Sequence, residues 1–233
     1  MGYFNLSEPT LRCKQTALDV QDLRGLWRIH WQIGNVQIFS ALYTRIDQVF
    51  ITWGLISILV FLTAQFFPVN WSIQAIVGSL LTAIGCYMTV ILPWFWVRVE
   101  QLRWVIYTWV LLILAGIILT NLGIFIGWVQ ILPYLCPIWL GLSAIGYFCT
   151  ALGLRSRAFI LAGLIHLLGT TIVVYAEGWR FALTGLIIAS TLFFLAELQW
   201  DMRLPMDSPV LTPEQQQFNQ KQRHLRSSTF LAK

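Results

Sequence analysis

The sequence predicts an all-α, polytopic membrane protein: a bundle of six transmembrane helices in three hairpins, preceded by an N-terminal amphipathic helix. Three observations predict it. Apolar residues make up 58% of the 233 residues and charged residues only 11%, where ordinary soluble domains carry roughly 25% charged residues. Between residues 49 and 200 the apolar sequence is broken only by very short polar turns. Lysine and arginine sort almost completely to one side when alternate segments are assigned to alternate sides of a bilayer. The 12 Trp, 7 Tyr and 15 Phe fit the same picture, because amphipathic rings favour membrane–water interfaces.

Residues 1–47 are expected to form a cytoplasmic segment. Charges are spread through it and no apolar h-region is present, so insertion is expected to begin with the first span. Over residues 23–46 the pattern reads as a helix too polar to span. Leu23, Trp27, Trp31, Ile38, Leu42 and Ile46 can share one face, with Arg24, Arg28, Gln32, Asn35, Ser40 and Thr44 on the other. A basic, aromatic amphipathic helix is expected to lie in the membrane interface. Gly25 and Gly34 weaken it by about 1 kcal/mol each relative to alanine.

The transmembrane domain is expected over residues 48–202. Its spans are read at 49–67, 71–97, 104–126, 131–154, 158–175 and 181–200, each near the roughly 20 residues a bilayer requires. Pro68-Val69-Asn70 ends the first span, and Pro93 with Trp94, Phe95 and Trp96 marks a kink and an aromatic belt at the end of the second. Pro133 and Pro137 fall in the first turns of the fourth, where a missing N–H costs least. Residues 203–233 form a basic tail. In it, Thr212-Pro213-Glu214-Gln215 reads as a helix start, with Thr212 as cap and Gln215 three residues on. The tail is expected to be solvated and to fix topology; a docking or anionic-lipid role is its alternative.

Charge sets the orientation. One side receives Arg12, Lys14, Arg24, Arg28 and Arg45, then Arg98 and Arg103, Arg155 and Arg157, and Arg203, Lys221, Arg223, Arg226 and Lys233. The other side receives only Arg180, near Glu177. Cytoplasmic loops carry the Lys/Arg excess, so both termini are expected to be cytoplasmic. The membrane is expected to be a plasma or energy-transducing inner membrane, of which the thylakoid is an example. The net charge of +5 follows this topology and is not a nucleic-acid signal.

Chemistry has few places to reside. An ionisable group inside a membrane marks function by default, and His166 is the one well inside a span, flanked by Gly163 and Gly169. It reads as a helix-bridging histidine, as an axial ligand to a chlorophyll or haem, or as a proton-handling group. Asn121, His166, Thr170 and Glu197 are the residues available to line a transport path. Glu197 is expected to be satisfied by Arg155 or Arg157. Cys13, Cys86, Cys136 and Cys149 lack C-x-x-C spacing, and no metal site is expected. Phosphate-binding and hydrolase motifs are absent. The small pairs Gly123 with Gly127 and Gly185 with Ala189 stand at the spacing that lets membrane helices approach closely.

These features point to a non-enzymatic integral membrane protein, expected to act as an accessory subunit, scaffold or assembly factor of a larger membrane complex. Its expected partners are the lipid bilayer, other membrane subunits and a second copy of itself. The alternative is an oligomeric small-solute or ion transporter or channel using His166 and Asn121.

Overall fold

A computed structural model describes residues 3–4, 9–15, 17–33, 36–203, 206 and 208–231, without the side chains of residues 31, 33, 36–39 and 227–231. Six of its helices are long and apolar enough to cross a membrane. In chain order the elements are β1 (Leu11–Arg12), α1 (Val20–Leu23), β2 (Trp27–Ile33), β3 (Val36–Tyr43), α2 (Arg45–Phe66), α3 (Trp71–Ile91), α4 (Trp94–Val99) and α5 (Arg103–Phe125). A 3-10 turn at Leu132–Tyr134 leads into α6 (Leu135–Leu154), followed by α7 (Arg157–Tyr175), α8 (Arg180–Glu197), β4 (Gln199–Trp200) and α9 (Pro213–Leu231).

The expected amphipathic helix over residues 23–46 does not form. In its place β2 and β3 pair antiparallel, with Trp27 opposite Tyr43, His30 opposite Ser40 and Ile33 opposite Val36. Trp27, Ile29, Trp31 and Ile33 alternate with Arg28, His30 and Gln32, a period of two that suits a strand as well as the wider spacing suited a helix. β-branched and aromatic residues fit the pleated surface. Gly34 and Asn35, residue types that break a helix and join hairpin strands, lie outside the described residues. The polypeptide becomes helical only at Thr44, which accepts from Asp47 N while the Asp47 carboxylate accepts from Thr44 N at 2.7 Å. That reciprocal cap starts α2 four residues before the expected span.

The second span is shorter than expected. Pro93 follows Leu92, the C-cap of α3, and the rest of the expected span becomes the separate short helix α4. Proline offers no N–H and clashes with the preceding turn, so the helix breaks here and does not merely bend. The sixth span stops at Glu197, and Gln199–Trp200 pairs instead with Leu11–Arg12.

The closest helix pairs are α2 with α8 and α6 with α7, not the partners of the expected hairpins. Glycine explains both. A Cβ on Gly54 would lie 2.6 Å from the Phe193 ring, and one on Gly185 would lie 2.7 Å from Phe61 Cβ, so α2 and α8 mesh where these residues lack side chains. Phe148 fills the space beside Gly163 in the same way between α6 and α7. Taken in order of contact, α2, α3, α5, α6 and α8 close a ring, and α7 packs outside it over the α6–α8 seam. Both tails and the α4–α5 and α6–α7 turns sit at one end of this bundle, hereafter the tail end.

Candidate functional site

The ring surrounds a partly open apolar chamber of about 240 Å³. Its walls run the length of the bundle. Trp71, Leu135 and Phe181 line the far end, and Trp96, Leu154, Phe159 and Trp200 line the tail end. Trp96 and Phe159 both meet the Trp200 ring edge-on, at 6.4 and 5.0 Å between centroids, and so form an aromatic floor.

Three tryptophans of the wall bond their ring N–H groups to threonines. Trp53 Nε1 donates to Thr89 Oγ1 at 2.7 Å, Trp109 to Thr150 at 3.0 Å and Trp139 to Thr120 at 3.1 Å. Each threonine in turn donates to the carbonyl four residues back, on Gly85, Gly146 and Gly116 respectively, at 2.8 Å. The indole lies directly on that glycine: a Cβ there would come within 2.9 Å of Trp53, 2.5 Å of Trp109 and 2.6 Å of Trp139. The result is a clasp used three times, in which glycine seats the ring and threonine takes its N–H.

Sequence reasoning missed this clasp, although its signal is in the spacing. Trp109, Gly116 and Thr120 stand at the same intervals as Trp139, Gly146 and Thr150. Since α5 and α6 run antiparallel, equal spacing lets each helix lay its tryptophan on the other's glycine, a two-fold arrangement within one hairpin. Trp71, Gly78 and Thr82 repeat the intervals on α3. There no ring covers the glycine: Trp71 packs on Phe181 at 5.5 Å, and Gly78 has only Val60 nearby, at 3.8 Å.

Below the aromatic floor lies a polar cap made by both tails. Asp201, buried at 1% exposure, accepts from Ser156 Oγ, from the backbone N–H of Arg157 and Ala158, and from Arg157 Nε, all within 2.8–3.1 Å. It therefore caps α7 from another part of the chain. Arg203 N donates to Leu154 O at 2.7 Å, satisfying the end of α6, and its guanidinium reaches the Glu100 carbonyl. On the opposite flank Lys14 bridges Asp47 and the Leu42 carbonyl at 2.7 and 2.8 Å.

The C-terminal tail is part of this cap, contrary to the expectation of a solvated segment. Thr212 and Gln215 close the reciprocal cap that starts α9. Asn219, 1% exposed, accepts from Val20 N at 2.8 Å and donates to Gln21, which donates on to Glu100. Arg226 pairs with Asp19 at 2.8 Å. Asn219 and Arg226 sit one above the other two turns apart, so a Gln-rich, basic helix hides a docking face that composition alone obscures.

Carboxylates crowd this docking surface. Burial, then repulsion from Asp19, pushes the Asp22 carboxyl up to about 7, opposed by the 3.0 Å bond from Trp96 Nε1. Burial also raises Glu100, despite Arg203 and Gln21. The folded cap therefore holds protons that the unfolded chain releases. This contribution is complete below the ordinary aspartate range near pH 4 and is lost as pH rises toward 7. Amide exchange over α1, residues 20–23, is expected to quicken between pH 5 and 8 beyond its intrinsic dependence, and Asp22→Asn is expected to flatten that extra rise.

The residues singled out from sequence are not brought together. His166 is fully buried; Nδ1 lies 2.9 Å from Ala162 O, its ring is 4.8 Å from Tyr147, and Nε2 has no partner among the described residues. Phe148 fills the space beside Gly163 and Ile187 that beside Gly169, so a chlorophyll or haem on Nε2 would have to displace them. Asn121, on α5, donates to Ser79 Oγ at 2.9 Å and to Ile117 O at 2.8 Å. Thr170 bonds its own helix at Leu167 O. None of Asn121, His166, Thr170 and Glu197 lines the chamber.

Other expectations are corrected. Glu197 accepts from Tyr43 OH at 2.6 Å, while of its two expected partners Arg157 bonds Asp201 and Arg155 lies over the Tyr3 ring. Burial and then that bond push the Tyr43 phenol up to about 12. Gly127 is not a packing residue: it lies beyond α5 in the left-handed region (φ +74), with nothing near its Cβ position. Glycine adopts that conformation without steric cost and so ends the helix. Gly123 faces Leu132, and Gly185 and Ala189 are buried on α8. No group of three His, Cys, Asp or Glu among the described residues could hold a metal ion. No protein family, curated protein or solved structure matches this chain.

Proposed function

We propose that this chain is a non-enzymatic, multi-pass membrane protein that holds an elongated apolar guest, a lipid tail or an isoprenoid-like chain, within its bundle. It serves in this way as an accessory subunit or assembly factor of a larger membrane complex. The observation that carries the reading is the chamber: about 240 Å³, lengthwise, aromatic at both ends, with the hydroxyls of Thr89, Thr120 and Thr150 bonded to protein. Such a lining, mostly aliphatic and aromatic, suits a hydrocarbon chain. Most deep binding sites are likewise apolar clefts with few polar groups. The positive charges of the tails and turns favour the tail end as the cytoplasmic one.

Solvent extraction of the purified protein, followed by mass spectrometry, tests this. One apolar molecule per chain, beyond the bulk-lipid background, is expected. Filling the chamber with Ala75→Phe, at a buried wall position on α3, is expected to remove that molecule while the protein stays folded by circular dichroism. A guest-free wild-type protein, or proteoliposomes in which it moves a solute, would overturn the reading.

A further inference from the structure

A second cavity, of about 330 Å³, opens where the tail end of α3 meets the N-terminal segment. We infer that Arg24, Arg45 and Arg98, which line it, bind the phosphodiester headgroup of an anionic phospholipid in that leaflet.

The three cations converge from separate parts of the chain: the residue after α1, the first turn of α2, and α4. Two of them are positioned by built contacts. The Arg24 guanidinium lies 4.4 Å over the Phe95 ring. Arg45 donates to Gln48 Oε1 at 3.0 Å and packs against Gly25, where a Cβ would lie 2.0 Å from Arg45 Nε. Gly25 is also in the left-handed region, at φ +72, so both its conformation and its missing side chain shape the place for this guanidinium. Arg98 is exposed. Among the described residues none of the three forms an ion pair; of the carboxylates nearby, Asp19 is engaged by Arg226, Asp47 by Lys14, Glu100 by Gln21 and Asp22 by Trp96 Nε1. Arginine's planar fork suits phosphate oxygens. Three cations and no carboxylate in the lining of a cavity call for an anion, and a basic pocket beside membrane helices is where anionic headgroups dock.

The apolar part of the lining decides between a lipid and a free phosphate. Ile91 and Leu92 end α3 on this cavity, and Trp94 and Phe95 flank it. Ile91 is half exposed. A phosphate on the arginines thus has an apolar exit toward the hydrocarbon for its acyl chains, with Trp94 at the depth where interfacial rings sit.

Native mass spectrometry of the full-length protein, released from detergent with equal amounts of phosphatidylglycerol and phosphatidylcholine, tests this. One phosphatidylglycerol is expected to be retained preferentially. Each arginine near a charged headgroup contributes about five-fold, and all three together about 100-fold. Arg98→Gln should therefore weaken retention about five-fold; because Arg98 is exposed and unpaired, this variant should fold as wild type. The triple glutamine variant should lose the preference, with near-ultraviolet circular dichroism reporting its fold. Equal retention of the two lipids by wild type would overturn the inference, as would unchanged retention by Arg98→Gln. Inorganic phosphate that stabilises the lipid-free protein as much as phosphatidylglycerol does would also overturn it, by assigning the site to a free anion.

Discussion

Replacing Asp201 with alanine is expected to cost about 3–5 kcal/mol, the range for breaking a buried ion pair by removing one partner. The magnitude follows from what the carboxylate holds. It accepts the Arg157 and Ala158 N–H groups at the start of α7, the Ser156 hydroxyl and the Arg157 guanidinium. An N-cap alone is worth roughly 1 kcal/mol. Here the loss also strands backbone N–H donors at a site with 1% exposure. The α6–α7 turn is tight, because Arg155 reverses the chain in one left-handed step (φ 52). Asp201→Asn keeps one acceptor oxygen and is expected to lose about half as much, since the charge assistance disappears. Unfolding of the two variants in mixed micelles measures this. Amide exchange at residues 156–160 should rise first, and an alanine variant within about 1 kcal/mol of wild type would show that the staple is incidental.

Sequence patterning made the membrane legible and left the cap hidden, for physical reasons. A bilayer imposes length and hydropathy on every span, and those constraints are local, so the six helices could be read one by one. Their ends were also partly readable: Pro93 and the Thr212–Gln215 cap act within a few residues. The cap is different. Asp201 finds Ser156 45 residues away, and Asn219 finds Gln21 at a separation of 198 residues. Neither contact leaves a periodic trace. Residues 27–43 failed for a third reason: their apolar residues satisfy two periods, and pairing with a second strand, which no window on one strand can register, decides between them. His166 drew attention as the buried ionisable group, yet the chamber is built from tryptophan, glycine and threonine, none of which is conspicuous alone in an apolar alphabet.

Trp109→Ala should lose about 3–5 kcal/mol, the usual cost of removing a large aromatic side chain from a core, and should enlarge the chamber on its α5–α6 side. Hydrogen bonding supplies little of this. Bonds between membrane helices average about 0.6 kcal/mol and reach at most about 1.7, so Thr150→Val, which removes the acceptor while keeping the shape, should fall in that range. Most of the energy is therefore the ring seated on Gly146. That assignment makes a sharper prediction about the glycines. Gly146→Ala and Gly116→Ala each place a methyl 2.5–2.6 Å from an indole. Each should destabilise by about 1–3 kcal/mol through overpacking, even though alanine is the better helix former by about 1 kcal/mol. Gly78→Ala shares the sequence spacing but meets only Val60, at 3.8 Å; it should be neutral or slightly stabilising. Unfolding of the three alanine variants in one micelle system separates packing from propensity. Equal effects at Gly78, Gly116 and Gly146 would mean that the clasp contributes nothing beyond helix formation. A loss confined to Gly116 and Gly146 would place the rigidity of the chamber wall in the paired rings of α5 and α6.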